Sequence, residues 1–132
     1  MAVVAAAISD GQGRWLLQKR PPGKRHGGLW EFPGGKVEAD ETPLQALVRE
    51  VNEELTIRVA IAENCPVAQA AAEAGGGEPA IVIRLYTIAR WEGVPLAEPG
   101  AELGWFTASE IGLLPLPPLD AQLAMQLFAA SG

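Results

Sequence analysis

Glu50, Glu53 and Glu54 stand at i, i+3 and i+4 in the stretch PLQALVREVNEEL, residues 43–55. On a helix this spacing brings the three carboxylates to one face. Like charges so placed destabilise an isolated helix by roughly 0.2–0.5 kcal/mol per pair. The stretch holds no lysine. Its one cation is Arg49, beside Glu50 and one turn before Glu53. Carboxylate oxygens at this spacing suit a shared divalent cation such as Mg2+ or Mn2+. A solvated acidic face is the ordinary alternative for a charge run. Two further features favour the metal. Gly34 and Gly35 lie just upstream, where a glycine loop can turn main-chain carbonyls toward the same point. Glu41 precedes the helix, where it can pair with Arg49 and brace that loop.

These residues need a scaffold, and the flanking pattern predicts one. Leu44, Leu47, Val48, Val51 and Leu55 form one apolar stripe, so residues 43–55 are predicted helical. Thr42 is the expected N-cap and Pro43 the first helical residue. AVVAAAIS (2–9) and RWLLQKR (14–20) read as strands joined by the turn DGQG, which predicts a hairpin. PPGKRHGG (21–28) is an expected loop, and LWEF (29–32) is short and extended ahead of Pro33. TIRVAIAEN (56–64) reads as a strand, and AAAEAGGGEP (70–79) as a flexible loop. AIVIRLYTIARWEG (80–93) is a long strand ending in a turn. LGWFT (103–107) is a short strand, ASEIGLL (108–114) a helical turn, and Asp120 the expected cap of a last helix over 121–130. Strands and helices mixed around one core define an α/β (α+β) layered sandwich.

The bulk composition bounds the function. A chain of 132 residues fits a single domain, spanning 1–132. Hydrophobic content of 48% with 20% charged residues is that of an ordinary globular chain. A net charge of −6 argues against non-specific binding to nucleic-acid polymers or anionic membranes. A phosphate substrate stays admissible, because a bound cation reverses the local sign. No apolar run reaches the roughly 18 residues of a membrane span. MAVVAAAIS lacks the basic n-region of a secretory signal, and the single Cys65 suits a reducing compartment, so the expected location is cytoplasmic. Either a monomer or a homodimer is compatible with these features.

The same residues resemble a known pattern. The Nudix box reads G-x5-E-x7-R-E-U-x-E-E-x-G-U, with U aliphatic. Here Gly35, Glu41, Arg49, Glu50, Val51, Glu53, Glu54 and Ile57 stand in that register, and Thr56 stands where the pattern has its last glycine. LWEFPGGKVE before the box, RWEG after the long strand and PLPPLD before the last helix are similar to the MutT branch of the family.

This resemblance implies the Nudix α/β/α sandwich, a mixed sheet between helices. It implies Mg2+-assisted (or Mn2+-assisted) hydrolysis of a nucleoside triphosphate to the monophosphate and pyrophosphate. Glu53 and Glu54 then look like metal ligands, joined by a carbonyl of Gly34 or Gly35. Glu50 looks like the residue that orients or deprotonates water, directly or as a further metal ligand; with Glu53 it is the catalytic candidate. An additional site acid is expected at Glu98 or Glu102, with Glu98 preferred. Arg20 and Lys36 match positions facing phosphates. Leu29, Phe32 and Asp120 match the base pocket, and Glu41 with Arg49 looks structural. The expected substrate is an oxidised nucleotide such as 8-oxo-dGTP, with CTP or a modified pyrimidine triphosphate as the alternative. A Nudix fold that binds nucleotides without cutting them is a third, remote reading. Thr56 puts the helix stop in question: a left-handed C-cap costs threonine roughly 1–2 kcal/mol.

Overall fold

The computed structural model describes residues 1–24 and 26–131; Arg25, within the expected 21–28 loop, lies outside the described residues. The chain builds eight strands and three helices among the described residues. One sheet is mixed. It runs β4 (Gly34–Lys36), β1 (Ala2–Ala7), β7 (Ile81–Glu92), β5 (Arg58–Ile61), with β6 (Ala68–Ala72) also on β7. β1 and β7 are parallel and the other pairs antiparallel. The second sheet is antiparallel, in the order β3 (Trp30–Glu31), β2 (Arg14–Lys19), β8 (Glu102–Thr107).

The predicted hairpin of the first two strands is therefore only a stub. Beyond the bridge of Ser9 with Trp15, β1 enters one sheet and β2 the other. The reason is edge occupancy: β1 is already paired on both edges, by β4 and β7, and has no free ladder for β2. Alternation of side chains along β1 then feeds two cores. Val4, Ala6 and Ile8 pack with Leu47, Val51 and Leu55 of α1 (Pro43–Leu55). Ala5 and Ala7 pack with Leu17, Phe32 and with Leu123 and Leu127 of α3 (Pro118–Ser131).

The stretch expected to be a loop from residue 70 instead begins inside β6. Ala68 and Ala70 are buried, and small side chains let the strand lie close beneath α3. Its outer edge is completed by a side chain. Gln126 on α3 accepts from the Gln69 N–H and donates to the Gln69 carbonyl, both at 2.8 Å. Alanines carry little strand propensity, which is why the element was hidden.

Helix α1 has the expected bounds. Thr42 caps it reciprocally with Gln45: Thr42 Oγ1 accepts from the Gln45 N–H, and the Gln45 side chain accepts from the Thr42 N–H. α2 (Ala108–Ile111) is the helical turn expected after β8. At the end of α1 Thr56 takes the left-handed conformation, φ 59° and ψ 28°. Its N–H donates to the Asn52 carbonyl at 2.9 Å and its hydroxyl to the Leu55 carbonyl at 2.6 Å. The exposed threonine thus stops the helix as glycine would, at a conformational cost. Thr56→Gly is expected to raise stability by about 0.5–1 kcal/mol, the relief of left-handed strain less glycine's extra unfolded-state entropy. The shift of the urea midpoint measures it; a lower midpoint would show that the threonine hydroxyl outweighs the strain.

Candidate active site

The two sheets meet at one crossover. Residues 31–34 leave β3 of the second sheet and enter β4 of the first. Three hydrogen bonds pin this short span. The Phe32 N–H donates to Asp120 Oδ2 at 3.1 Å, the Ala6 N–H donates to the Pro33 carbonyl at 2.8 Å, and the Gly34 N–H donates to Glu54 Oε1 at 3.0 Å. The other oxygen of Glu54 accepts from Gln18 Nε2 at 2.7 Å. Gln18 is 4% exposed and sits in register with Glu31 on β3, so both side chains leave the same face of the second sheet. Glu54 is therefore fixed at the seam by one donor from each sheet. Gly34 must be glycine there: a Cβ would fall on the Val4 carbonyl of β1.

Arg49 organises the other acids. Its guanidinium donates to both oxygens of Glu41 (3.0 and 2.6 Å), to Glu50 Oε1 at 2.9 Å, to Glu53 Oε2 at 3.2 Å and to the Lys36 carbonyl at 3.1 Å. The bidentate bond to Arg49 holds the Glu41 carboxyl below the ordinary value. Glu41 also accepts from the Glu38 N–H at 2.9 Å, which closes the loop onto the helix. The Glu50 carboxylate lies over Gly35, where a Cβ would occupy its place. Glu53 is exposed. Among the described residues no three of His, Cys, Asp and Glu converge as they stand into a group that could hold a metal ion. Glu50 and Glu53 are turned onto Arg49 instead.

Burial sets the electrostatics of the seam. It pushes Glu54 up to about 7, with the charges of Glu50 and Glu98 adding to the effect against the Gln18 and Gly34 donors. Glu31 is likewise raised to about 7, first by burial, then opposed by Arg20 at 3.4 Å and reinforced by Asp120, Glu54 and Glu98. Asp120 is raised to about 6 by burial, against the Phe32 N–H. Of the two further acids, the charge of Glu98 reaches Glu31 and Glu54, whereas Glu102 pairs with Lys19 at 3.5 Å. Lys19 neighbours Gln18 on β2, so it leaves the opposite face.

The remaining predicted residues divide. Arg20 reaches the seam through Glu31. Lys36 is exposed at the end of β4 and meets Arg49 through its carbonyl. Leu29 is half-buried, and its carbonyl accepts from the Arg20 N–H at 3.1 Å. Phe32 is 4% exposed within the core, so it offers the crossover its N–H while its ring is packed. Asp120 is not the cap of the last helix. That helix begins two residues earlier, at Pro118, which places Asp120 in its first turn and leaves its carboxylate for Phe32. Gln18 and Glu31 escaped the sequence reading. Glu31 carried a signal as a polar residue between Trp30 and Phe32, whereas Gln18, between Leu17 and Lys19, carried none.

Buried Asp120 and half-buried Glu31 and Glu54 thus lie at the seam of the two sheets, beside the glutamates of α1. Residues 1–127 match the NUDIX domain family. The CTP pyrophosphohydrolase of Escherichia coli (strain K12) is 39% identical over 123 residues, covering 93% of this chain and 88% of that protein. The 8-oxo-dGTP diphosphatase of Haemophilus influenzae is 34% identical over 127 residues, 95% of this chain and 89% of that protein. The solution structure of the E. coli ORF135 protein has a TM-score of 0.87 at 37% identity, covering 99% of this chain and 90% of that one. The molecule is a hydrolase acting on phosphoric anhydrides. The chain belongs to the Nudix family, in its MutT-like branch.

Two outcomes are expected. Glu31, Glu54 and Asp120 all have raised folded-state values, so their contribution to stability is full below the ordinary carboxylate range and is lost as pH rises through about 6–7. The metal-free protein should lose on the order of 1 kcal/mol per acid across that window. Thermal melts in chelator, with Glu54→Gln flattening the decline, check it; a Tm that climbs from about pH 5 to about pH 8 would contradict it. Gly35→Ala should displace the Glu50 carboxylate and lower kcat by roughly 10²-fold with the circular dichroism spectrum unchanged.

Proposed function

We propose that this chain is a Mg2+- or Mn2+-dependent nucleoside triphosphate pyrophosphohydrolase of the cytoplasm, converting a nucleoside triphosphate and water to the monophosphate and pyrophosphate. The observation that carries the reading is Glu54, a carboxylate fixed at the seam by Gln18 and Gly34 with the charges of Glu50 and Glu98 beside it. Such a concentration of negative charge is costly alone and favourable around a hard cation. The donor set fits one: Glu50, Glu53 and Glu54 with a carbonyl of Gly34 or Gly35, and Glu98 from the facing loop. Nudix hydrolases are generally dependent on divalent metals. A bound ion would neutralise phosphate oxygens and lower the pKa of water.

In this reading the chain's own groups divide the work. Glu54 is preset by its two donors and needs no reorganisation to act as a ligand. Glu50, held by Arg49 over Gly35, orients or deprotonates the attacking water, a role worth roughly 10²–10⁴-fold. Glu53 leaves the rim pair with Arg49 to complete the site, and Glu41 keeps Arg49 anchored when it does. Arg20 and Lys36 meet the phosphates.

The substrate we favour is an oxidised nucleotide such as 8-oxo-dGTP, and one feature keeps CTP or a modified pyrimidine triphosphate as the second reading. Burial raises Glu31 to about 7, with the charge of Asp120 adding to the effect, and raises Asp120 to about 6. An ionised carboxylate with a protonated one in the same site offers an acceptor and a donor. The O6/N7–H edge of 8-oxoguanine and the N3/N4–H edge of cytosine both offer the complement, and the O6/N7 edge of guanine does not. The relatives named for CTP and for 8-oxo-dGTP support both readings.

Pyrophosphate release with Mg2+ tests the proposal on 8-oxo-dGTP, dGTP, CTP and 5-hydroxy-dCTP. The expected ranking by kcat/KM places 8-oxo-dGTP well above dGTP. A preference for the pyrimidines moves the substrate to the second reading, and no turnover of any of them leaves a nucleotide-binding module. Glu54→Gln should lower kcat by roughly 10³-fold or more with the fold retained. Near-native turnover in that variant at saturating Mg2+ would sink the assignment.

A further inference from the structure

We infer that Asp120 is a positioning residue for Glu54, acting through the main chain of residues 32–34, in addition to any contact with the base. The inference rests on the hydrolase reading of the seam. Asp120 is 8% exposed and spends Oδ2 on the Phe32 N–H. Two residues further on, the Gly34 N–H holds Glu54 Oε1. Nothing between these two bonds is free to absorb a displacement. The Phe32 ring is packed in the α3-side core, Pro33 is fully buried with its φ set by its ring, and its carbonyl is taken by Ala6. The span 32–34 therefore behaves as a rigid link between the first turn of α3 and the last turn of α1. Loss of the Asp120 anchor frees the Phe32 end, shifts the Gly34 N–H, and leaves Glu54 with the Gln18 donor alone.

This differs from a residue that only recognises the base. Such a residue changes KM for one nucleotide and leaves the chemical step intact. A positioning residue changes kcat for every nucleotide, because misplacement of a reacting group costs turnover whatever the base. Asparagine can still offer an acceptor oxygen to the Phe32 N–H, and alanine cannot. The two substitutions therefore separate the roles.

The test uses the full chain, as Asp120→Ala and Asp120→Asn. In Asp120→Ala, kcat should fall roughly 10–100-fold for each nucleotide that the wild type turns over. Asp120→Asn should recover most of that kcat while changing the ranking of bases. Amide exchange on the 15N-labelled protein, free of metal and nucleotide, gives a second reading. The Gly34 amide should exchange at least 10-fold faster in Asp120→Ala, with the amides of α1 and β1 still protected, and should stay protected in Asp120→Asn. An unchanged kcat with KM raised for one base overturns the inference. So does an unchanged Gly34 amide, or a uniform acceleration of all amides, which marks global destabilisation. If Asp120→Ala does not fold, Asp120→Asn decides: a folded protein with an unprotected Gly34 amide overturns it. Should the wild type cleave no nucleotide, the functional reading fails, and the exchange measurement still judges the link.

Discussion

The bond from the Gly34 N–H to Glu54, with that from Gln18, brings α1 and both sheets together at one point. Glu54 comes from α1, on one side of the first sheet, and Gly34 from the edge strand of that sheet, while Gln18 approaches from the second. A buried carboxylate without donors is expensive, and it regains protons instead of staying charged. Two donors offset only part of this cost, because Glu54 still sits well above the ordinary carboxylate value. The seam therefore favours the protonated acid over a lone charged carboxylate. The local fold has to be stable enough to keep such a group in place, and the two cores on either side of β1 supply that stability.

Arg49 explains how a helix with three acids on one face survives without a cation from outside. It lies one residue from Glu50 and four from Glu53 and contacts both, while its strongest bonds go to Glu41 before the helix. The same guanidinium donates to the Lys36 carbonyl and so ties β4 to the helix. Because Glu41 holds it bidentately, Arg49 can release the rim acids without losing its own position. Structural and chemical carboxylates on this helix are distinguished by that geometry and not by residue type.

Much of this was readable in the residues. The stripe from Leu44 to Leu55, the Thr42 cap and the Glu41–Arg49 pairing follow from local spacing, and local spacing is what a helix preserves. What depended on partners distant in sequence was not readable. β1 and β2 looked like a hairpin because the DGQG turn is a local signal, yet the edges of β1 are filled by strands about 30 and 80 residues away. β6 was hidden because alanines encode it weakly and Gln126 completes it from α3. Gln18 and Glu31 gain meaning only from facing Glu54 across the seam. Asp120 looked like a cap because its type favours caps, and the Phe32 N–H that claims it lies 88 residues away.

Thr56 connects the helix stop to the acid on the facing loop. The Leu55 carbonyl accepts from the Thr56 hydroxyl and also, at 3.0 Å, from the Leu96 N–H. Leu96 begins the segment that carries Glu98, and the Glu98 N-terminal neighbourhood is thereby tied to the end of α1. A carbonyl at a helix end has two lone pairs and no intrahelical partner, so it can serve both donors. The left-handed turn at Thr56 aims the chain away and leaves that carbonyl open. A glycine would make the turn at lower conformational cost but would give up the hydroxyl bond. The strained threonine thus acts at the junction where α1 meets the segment of Glu98, two residues after Glu54. The course of that segment starts from where this helix stops, so the left-handed turn, by threonine or by glycine, ties the helix end to it.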